Sequence, residues 1–153
     1  MGFVGGSEGD LLASQMSNDI ATSRSPRIII SSMHFYIEHV LHRLIQEHLP
    51  NSEELLKFDE KGYVPGYWKK TKILHENQII DDLIFQELGI INEIRNEFIH
   101  SFEPDNQKIW EFCNFLLFHP FNDRKSNIEK ASYDALEIMS HLCEMLDKIK
   151  ENR

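Results

Sequence analysis

Cysteine is scarce: only Cys113 and Cys143 occur in 153 residues, and neither stands in a CxxC or Cys/His ligand spacing. Both fall inside apolar helical patterns and read as reduced core thiols, which excludes a disulfide framework and favours the cytoplasm. Long apolar runs are missing as well. None approaches the ~18 residues of a membrane span, and no charged-then-apolar signal segment begins at Met1, so no membrane partner is expected. Positive charge is in deficit, with 16 Lys and Arg against 25 Asp and Glu and a formal charge of -9. A protein that grips long nucleic acid usually carries a basic face to displace counterions from phosphates, so extended DNA binding is disfavoured. A pocket for one or two phosphates is still permitted, because net charge governs the long-range field and not a site built around one Arg. No repeat, low-complexity tract or β-alternation is present, and no metal or cofactor is expected.

The apolar residues that are present recur at helical spacing. Residues 1–25 open with Gly2, Gly5, Gly6 and Gly9, then Leu11, Leu12, Met16 and Ile20, and read as a flexible segment or a short helix. Ser25 and Pro26 form a helix start, after which Ile30, Met33, Ile37, Val40, Leu41, Leu44 and Ile45 repeat at three and four up to Pro50. Asn51 to Gly66 reads as a loop with one turn of helix at Ser52 to Leu55, and Tyr67 to Glu76 as a short helix broken by Asn77 and Gln78. A longer helix follows from about Asp81 to Phe98, with Ile84, Leu88, Ile91, Ile94 and Phe98 on one face. Gln107 to Phe118 is apolar around much of its circumference, and Ile128 to Ile149 keeps three-four spacing to the end. These elements predict an all-α fold, one helical domain over residues 26–153 built as a bundle of four to six elements.

One polar segment interrupts the stripes. Arg95-Asn96-Glu97-Phe98-Ile99-His100 contains an Arg-x4-His string, as does Arg43-Leu44-Ile45-Gln46-Glu47-His48 inside the first amphipathic helix. Context separates the two, since Arg95 is followed by Asn96, sits near a helix end and lies within about 40° of Ile91 on its own apolar stripe. A guanidinium there calls for a partner: a core carboxylate in a structural clasp, or an incoming phosphate. Asn92, Asn96 and His100 form a separate line in which Asn96 can reach His100 and orient its imidazole. Arg95 and His100 diverge by about 140° on a straight helix, so they meet only if the helix ends before His100 or a second subunit supplies the other half.

The string INEIRNEFIHS resembles the Arg-(x4-6)-His signature of the HEPN superfamily. The wider run GYWKKTKILHENQIIDDLIFQELGIINEIRNEFIH is similar to its mannitol operon repressor branch, in which an aromatic-Lys helix, a short break and an IRN-x-x-x-H helix end follow in this order. The resemblance covers roughly Ile28 to Phe118. It implies a four-helix up-and-down core with extra short helices, a two-fold homodimer with the motifs facing each other, and metal-independent RNA cleavage. Arg95 would then neutralise the scissile phosphate, Asn96 would position, and His100 would transfer protons to or from the reacting oxygens. HEPN toxins paired with nucleotidyltransferase antitoxins often carry His-x-Tyr, whereas this chain has Phe102. The repressor branch also implies an alternative of another class, a non-catalytic regulator or adaptor that binds a protein partner.

Three further groups carry candidate chemistry. His34, Glu38 and His42, with His39 nearby, have i, i+4, i+8 geometry but no acidic cluster beside them, and read as a solvated polar flank rather than a metal site. Trp110, Phe112, Phe115, Phe118 and Phe121 are interleaved with Glu111 and Asn114 rather than with cations, and read as core or dimer surface. Lys69, Lys70 and Lys72, close to Trp68, are the basic cluster at which RNA is expected to bind.

Overall fold

The structure is a computed structural model, and it describes residues 7–114 and 127–151. The described residues form seven α-helices and no strand: α1 Glu8–Thr22, α2 Pro26–His48, α3 Ser52–Leu56, α4 Tyr67–Glu76, α5 Asp82–His100, α6 Asn106–Asn114 and α7 Asn127–Glu151. None of them is long and apolar enough to cross a membrane. The all-α expectation holds, with the predicted helix bounds met to within a residue or two for α2, α3, α4 and α5.

The helix ends follow from local chemistry. The Ser25 hydroxyl accepts from Ile28 N and Pro26 occupies the first turn of α2, while the Asp81 carboxylate caps α5 through Ile84 N at 2.8 Å. Between α4 and α5 the chain reverses at Gln78, whose φ of 59° is in the left-handed region.

α2 is the hub, packing on α1, α4, α5 and α7. Its buried Ile30, Met33, Ile37, Val40, Leu41, Leu44 and Ile45 meet Leu88, Ile91 and Ile94 of α5 and Ala135, Ile138, Met139 and Leu142 of α7 in one continuous core. Pairs of touching residues give the directions. Glu8 meets Arg43 and Asp19 meets Tyr36, so α1 runs antiparallel to α2. Asn92 meets His34 and the end of α5 meets Arg27, so α5 is antiparallel to α2, whereas Ser132 on Met33 and Asp147 on Ser7 and Gly9, next to the Glu8 that meets Arg43, make α7 parallel to it. The four long helices α1, α2, α5 and α7 therefore alternate in direction, with α3, α4 and α6 as short additions.

Where a flexible segment or short helix is predicted over residues 1–25, α1 spans 15 residues and its Met16 is completely buried. Its apolar pattern is sparse because polar clamps do much of the holding. Asp147 of α7 accepts from Ser7 Oγ at 2.8 Å and from Gly9 N at 3.2 Å, and Tyr36 Oη donates to Asp19 Oδ2 at 2.6 Å. Gly9 itself lies against α7 so closely that a Cβ there would sit 2.8 Å from Cys143 Cβ and 2.9 Å from its carbonyl oxygen. Cys143 is buried and free, and burial together with the nearby Asp147 carboxylate pushes its thiol up to about 12. The side chains of Trp110 and Cys113, and residues Phe115 to Phe121, lie outside the described part, where the aromatic-surface expectation mostly falls.

Candidate functional site

The two Arg-x4-His strings have opposite fates. Arg43 is fully engaged: Nε donates to Glu8 Oε1 at 2.7 Å, Nη2 to Glu47 Oε1 at 2.8 Å, and Nη1 to Gln46 Oε1 at 2.6 Å. These bonds tie α1 to α2 and hold the Arg43 guanidinium pKa above its ordinary value. Arg95 is half-buried on α5 and makes no hydrogen bond or ion pair with any described residue. The carboxylate clasp, one of the two arrangements expected for it, is therefore not formed among the described residues. Partial exposure explains how this is tolerated, since the guanidinium keeps part of its hydration and escapes the several kcal/mol that a sealed, unpaired ion costs.

His100 is exposed at the last residue of α5, and Asn96 is half-buried one turn before it. The helix does not end ahead of His100. Within one copy Arg95 and His100 thus remain on one continuous helix, about 140° apart. No hydrogen bond joins Asn96 to His100. The helix end is held instead by Arg27 of α2, whose Nη1 donates to Phe98 O and whose Nη2 donates to Ser101 O and Phe102 O, both at 3.3 Å. A cation on the last carbonyls also complements the negative end of the helix dipole. Arg27 is a site-building residue that the motif does not include, and its only sequence signal is a position one residue inside the start of a facing helix.

Beneath Arg95 lies a set of polar groups that the sequence assigns otherwise. His34 is buried, not part of a solvated flank, because α4 covers it. Its ring stacks on Tyr67 with centroids 4.1 Å apart, and its Nε2 is 3.2 Å from Asn92 Oδ1. Burial, assisted by the neighbouring Arg95 charge, lowers its pKa to about 4, so the ring is neutral and Nε2–H donates to Asn92. Tyr67 is itself buried, donates to Leu88 O at 2.9 Å, and its phenol pKa is pushed well above the ordinary value by burial. The His34 line does not converge on a metal: among the described residues no three His, Cys, Asp or Glu side chains gather into a set able to hold one.

The lysine cluster divides. Lys69 and Lys72 are exposed, about 60° apart around α4. Lys70 turns inward, is buried, and faces Glu38 with Nζ 3.7 Å from Oε1, so its charge is engaged in packing α4 on α2.

The arrangement offers a half-buried cation with no partner among the described residues, a neutral imidazole and an amide near it, and an exposed imidazole at the end of the same helix. A search of protein-family models, of curated proteins and of solved structures finds no match to this chain.

Proposed function

We propose that this protein is a HEPN-type, metal-independent endoribonuclease acting as a toxin or defence effector, with its reaction centre assembled from Arg95, Asn96 and His100 of two copies in a homodimer. The observation that carries the reading is the contrast between the two motifs: Arg43 is bonded to the carboxylates of Glu8 and Glu47 and to Gln46, whereas Arg95, the one in the IRN context, has no partner among the described residues. A guanidinium with free donors at a partly desolvated surface is suited to bidentate recognition of a phosphate. The alternating order of α1, α2, α5 and α7 is compatible with the up-and-down bundle that the resemblance implies. In the reaction, Arg95 neutralises the scissile phosphate. His100 removes the proton of the RNA 2′-hydroxyl as it attacks, or protonates the leaving oxygen, and Asn96 positions the group. Because Arg95 and His100 face apart on one helix, a two-fold axis near the end of α5 is the simplest way to bring one copy's Arg95 to the other's His100.

The test is cleavage of a structured RNA in EDTA by wild type and by His100→Ala. Cleavage that persists in EDTA and disappears in the variant supports the reading. An inactive wild type that is folded and dimeric would turn it to the second reading, a non-catalytic regulator that binds an antitoxin-like or other regulatory protein. That reading has its own observation, the exposed Ile99 and the 96 % exposed Phe102 beside the motif, an apolar pair suited to a protein partner.

A further inference from the structure

The loop between α3 and α4 is unusual for this chain in both charge and surface. Five of the ten lysines fall between Lys57 and Lys72, a stretch with only two carboxylates, Asp59 and Glu60, in a protein whose net charge is -9. Lys61, Lys69 and Lys72 are exposed and have no ion-pair partner among the described residues, while Lys57 pairs at the surface with Glu54. In the same loop Phe58, Tyr63 and Val64 are 67 %, 69 % and 57 % exposed. Single exposed apolar residues are ordinary, but three within seven residues, two of them aromatic with Lys61 between them, are not.

The loop is also held in shape. The Asp59 carboxylate accepts from Lys61 N and Tyr63 N, both at 2.9 Å, and Asp59 N donates to Tyr63 O at 2.9 Å. Gly62 takes a φ of +82° at the turn, a conformation that suits only residues without a Cβ penalty. Asp59 is therefore committed to the turn and pairs directly with none of the lysines, and even with Asp59 and Glu60 counted the five lysines of residues 57–72 leave that stretch with a formal charge of +3. The loop then enters α4 at Tyr67, whose ring lies on His34, which in turn bonds Asn92 and feels the Arg95 charge. These buried contacts place the end of the loop and Arg95 around the same side chain, His34.

We infer that the loop over residues 57–66, with Lys69 and Lys72 of α4, is a docking surface for single-stranded RNA. Bases stack on Phe58 and Tyr63, and phosphates pass Lys61, Lys69 and Lys72. The choice of RNA rests on the ribonuclease reading; the surface itself rests on charge complementarity and on aromatic rings that serve no core. Stacking on exposed rings needs unpaired bases and tolerates any sequence, so it predicts a preference for single strands over duplex.

The experiment uses the full chain carrying His100→Ala, so that RNA is not consumed, and follows a labelled oligouridylate by fluorescence anisotropy. The expected result is binding that is tighter for the single strand than for a duplex, and weaker by roughly tenfold for each ring removed in Phe58→Ala and Tyr63→Ala. Both side chains are exposed, and far-UV circular dichroism checks that the fold is kept. Independently, the triple variant Lys61→Gln/Lys69→Gln/Lys72→Gln lowers the slope of log affinity against log salt by about two. Unchanged affinity in both ring variants, equal affinity for duplex, or binding of the wild-type loop to anionic vesicles and not to RNA would each overturn the inference. Cleavage of a dinucleotide, too short to span the site, separates the two proposals. Lost affinity for the longer strand with intact dinucleotide cleavage is expected. Ring-dependent binding with no cleavage by an otherwise native His100 protein would uphold the docking surface and remove the ribonuclease.

Discussion

Replacing Arg43 and Arg95 should have opposite consequences for stability, although each opens an Arg-x4-His string. Arg43→Ala removes four side-chain hydrogen bonds, three of them to the carboxylates of Glu8 and Glu47. Bonds to charged groups contribute about 1.5 to 3 kcal/mol when well shielded. Here the Arg43 and Glu8 side chains are 23 % and 24 % exposed, so solvent screening reduces the expected loss to about 1–2 kcal/mol. For a chain of this size that corresponds to a fall in Tm of roughly 2–8 °C. Arg95→Leu leaves no described partner behind and places an apolar side chain on the stripe of Ile91, Ile94 and Phe98. Half-burying a leucine contributes on the order of 1 kcal/mol, so its Tm should stay the same or rise by a few degrees. Thermal unfolding of both variants by circular dichroism, beside RNA cleavage, gives the comparison. Arg43→Ala should be less stable and still active, Arg95→Leu stable and inactive. A fall in the Arg95→Leu Tm as large as that of Arg43→Ala would show Arg95 to be a clasp after all and refute the reasoning.

Other consequences are equally direct. Gly9→Ala would normally stabilise a helix by about 1 kcal/mol, but with Cys143 backbone and side chain under 3.0 Å from the new Cβ it should destabilise by about 1–3 kcal/mol, seen as a lower urea midpoint. His34 binds its proton less tightly folded, near pH 4, than unfolded, near 6.5. Its contribution to stability is therefore complete above pH 6.5, lost as pH falls toward 4, and on the order of 3 kcal/mol in full. Urea titrations across that window should show a slope that flattens in His34→Gln. Tyr67→Phe removes the buried hydroxyl bonded to Leu88 O and should cost about 1 kcal/mol by the same assay. The Cys143 thiol, buried and shifted to about 12, should resist alkylation at neutral pH until the protein unfolds.

Most of the helices could be read from the sequence because their apolar residues repeat at three and four with clear stops: Ser25-Pro26 opens α2, and Asn77-Gln78 separates α4 from α5. α1 was harder to read, since its packing depends on Asp147 and Arg43, partners distant in the chain that leave no periodic trace beside Gly9 or Glu8. The same limit governs the site. Periodicity marks Arg95 as a misfit on an apolar stripe, but it does not reveal that Arg43 has carboxylate partners and that Arg95 has none among the described residues. His34 looks like one of a polar line with Glu38 and His42 until α4 is laid over it, and Lys70 belongs to a basic cluster by spacing yet is turned away from Lys69 and Lys72 by the 100° step of the helix. Arg27, which holds the end of α5, is two helices and more than seventy residues away from the carbonyl groups it binds.

The central claim is that one copy's Arg95 works with another's His100. Arg95→Ala and His100→Ala proteins, each inactive alone, should be mixed, allowed to exchange subunits, and assayed for RNA cleavage in EDTA. Half of the dimers would then be mixed, each with one intact site, so activity should return to about a quarter of wild type. A mixture that exchanges subunits and stays inactive would contradict the shared site.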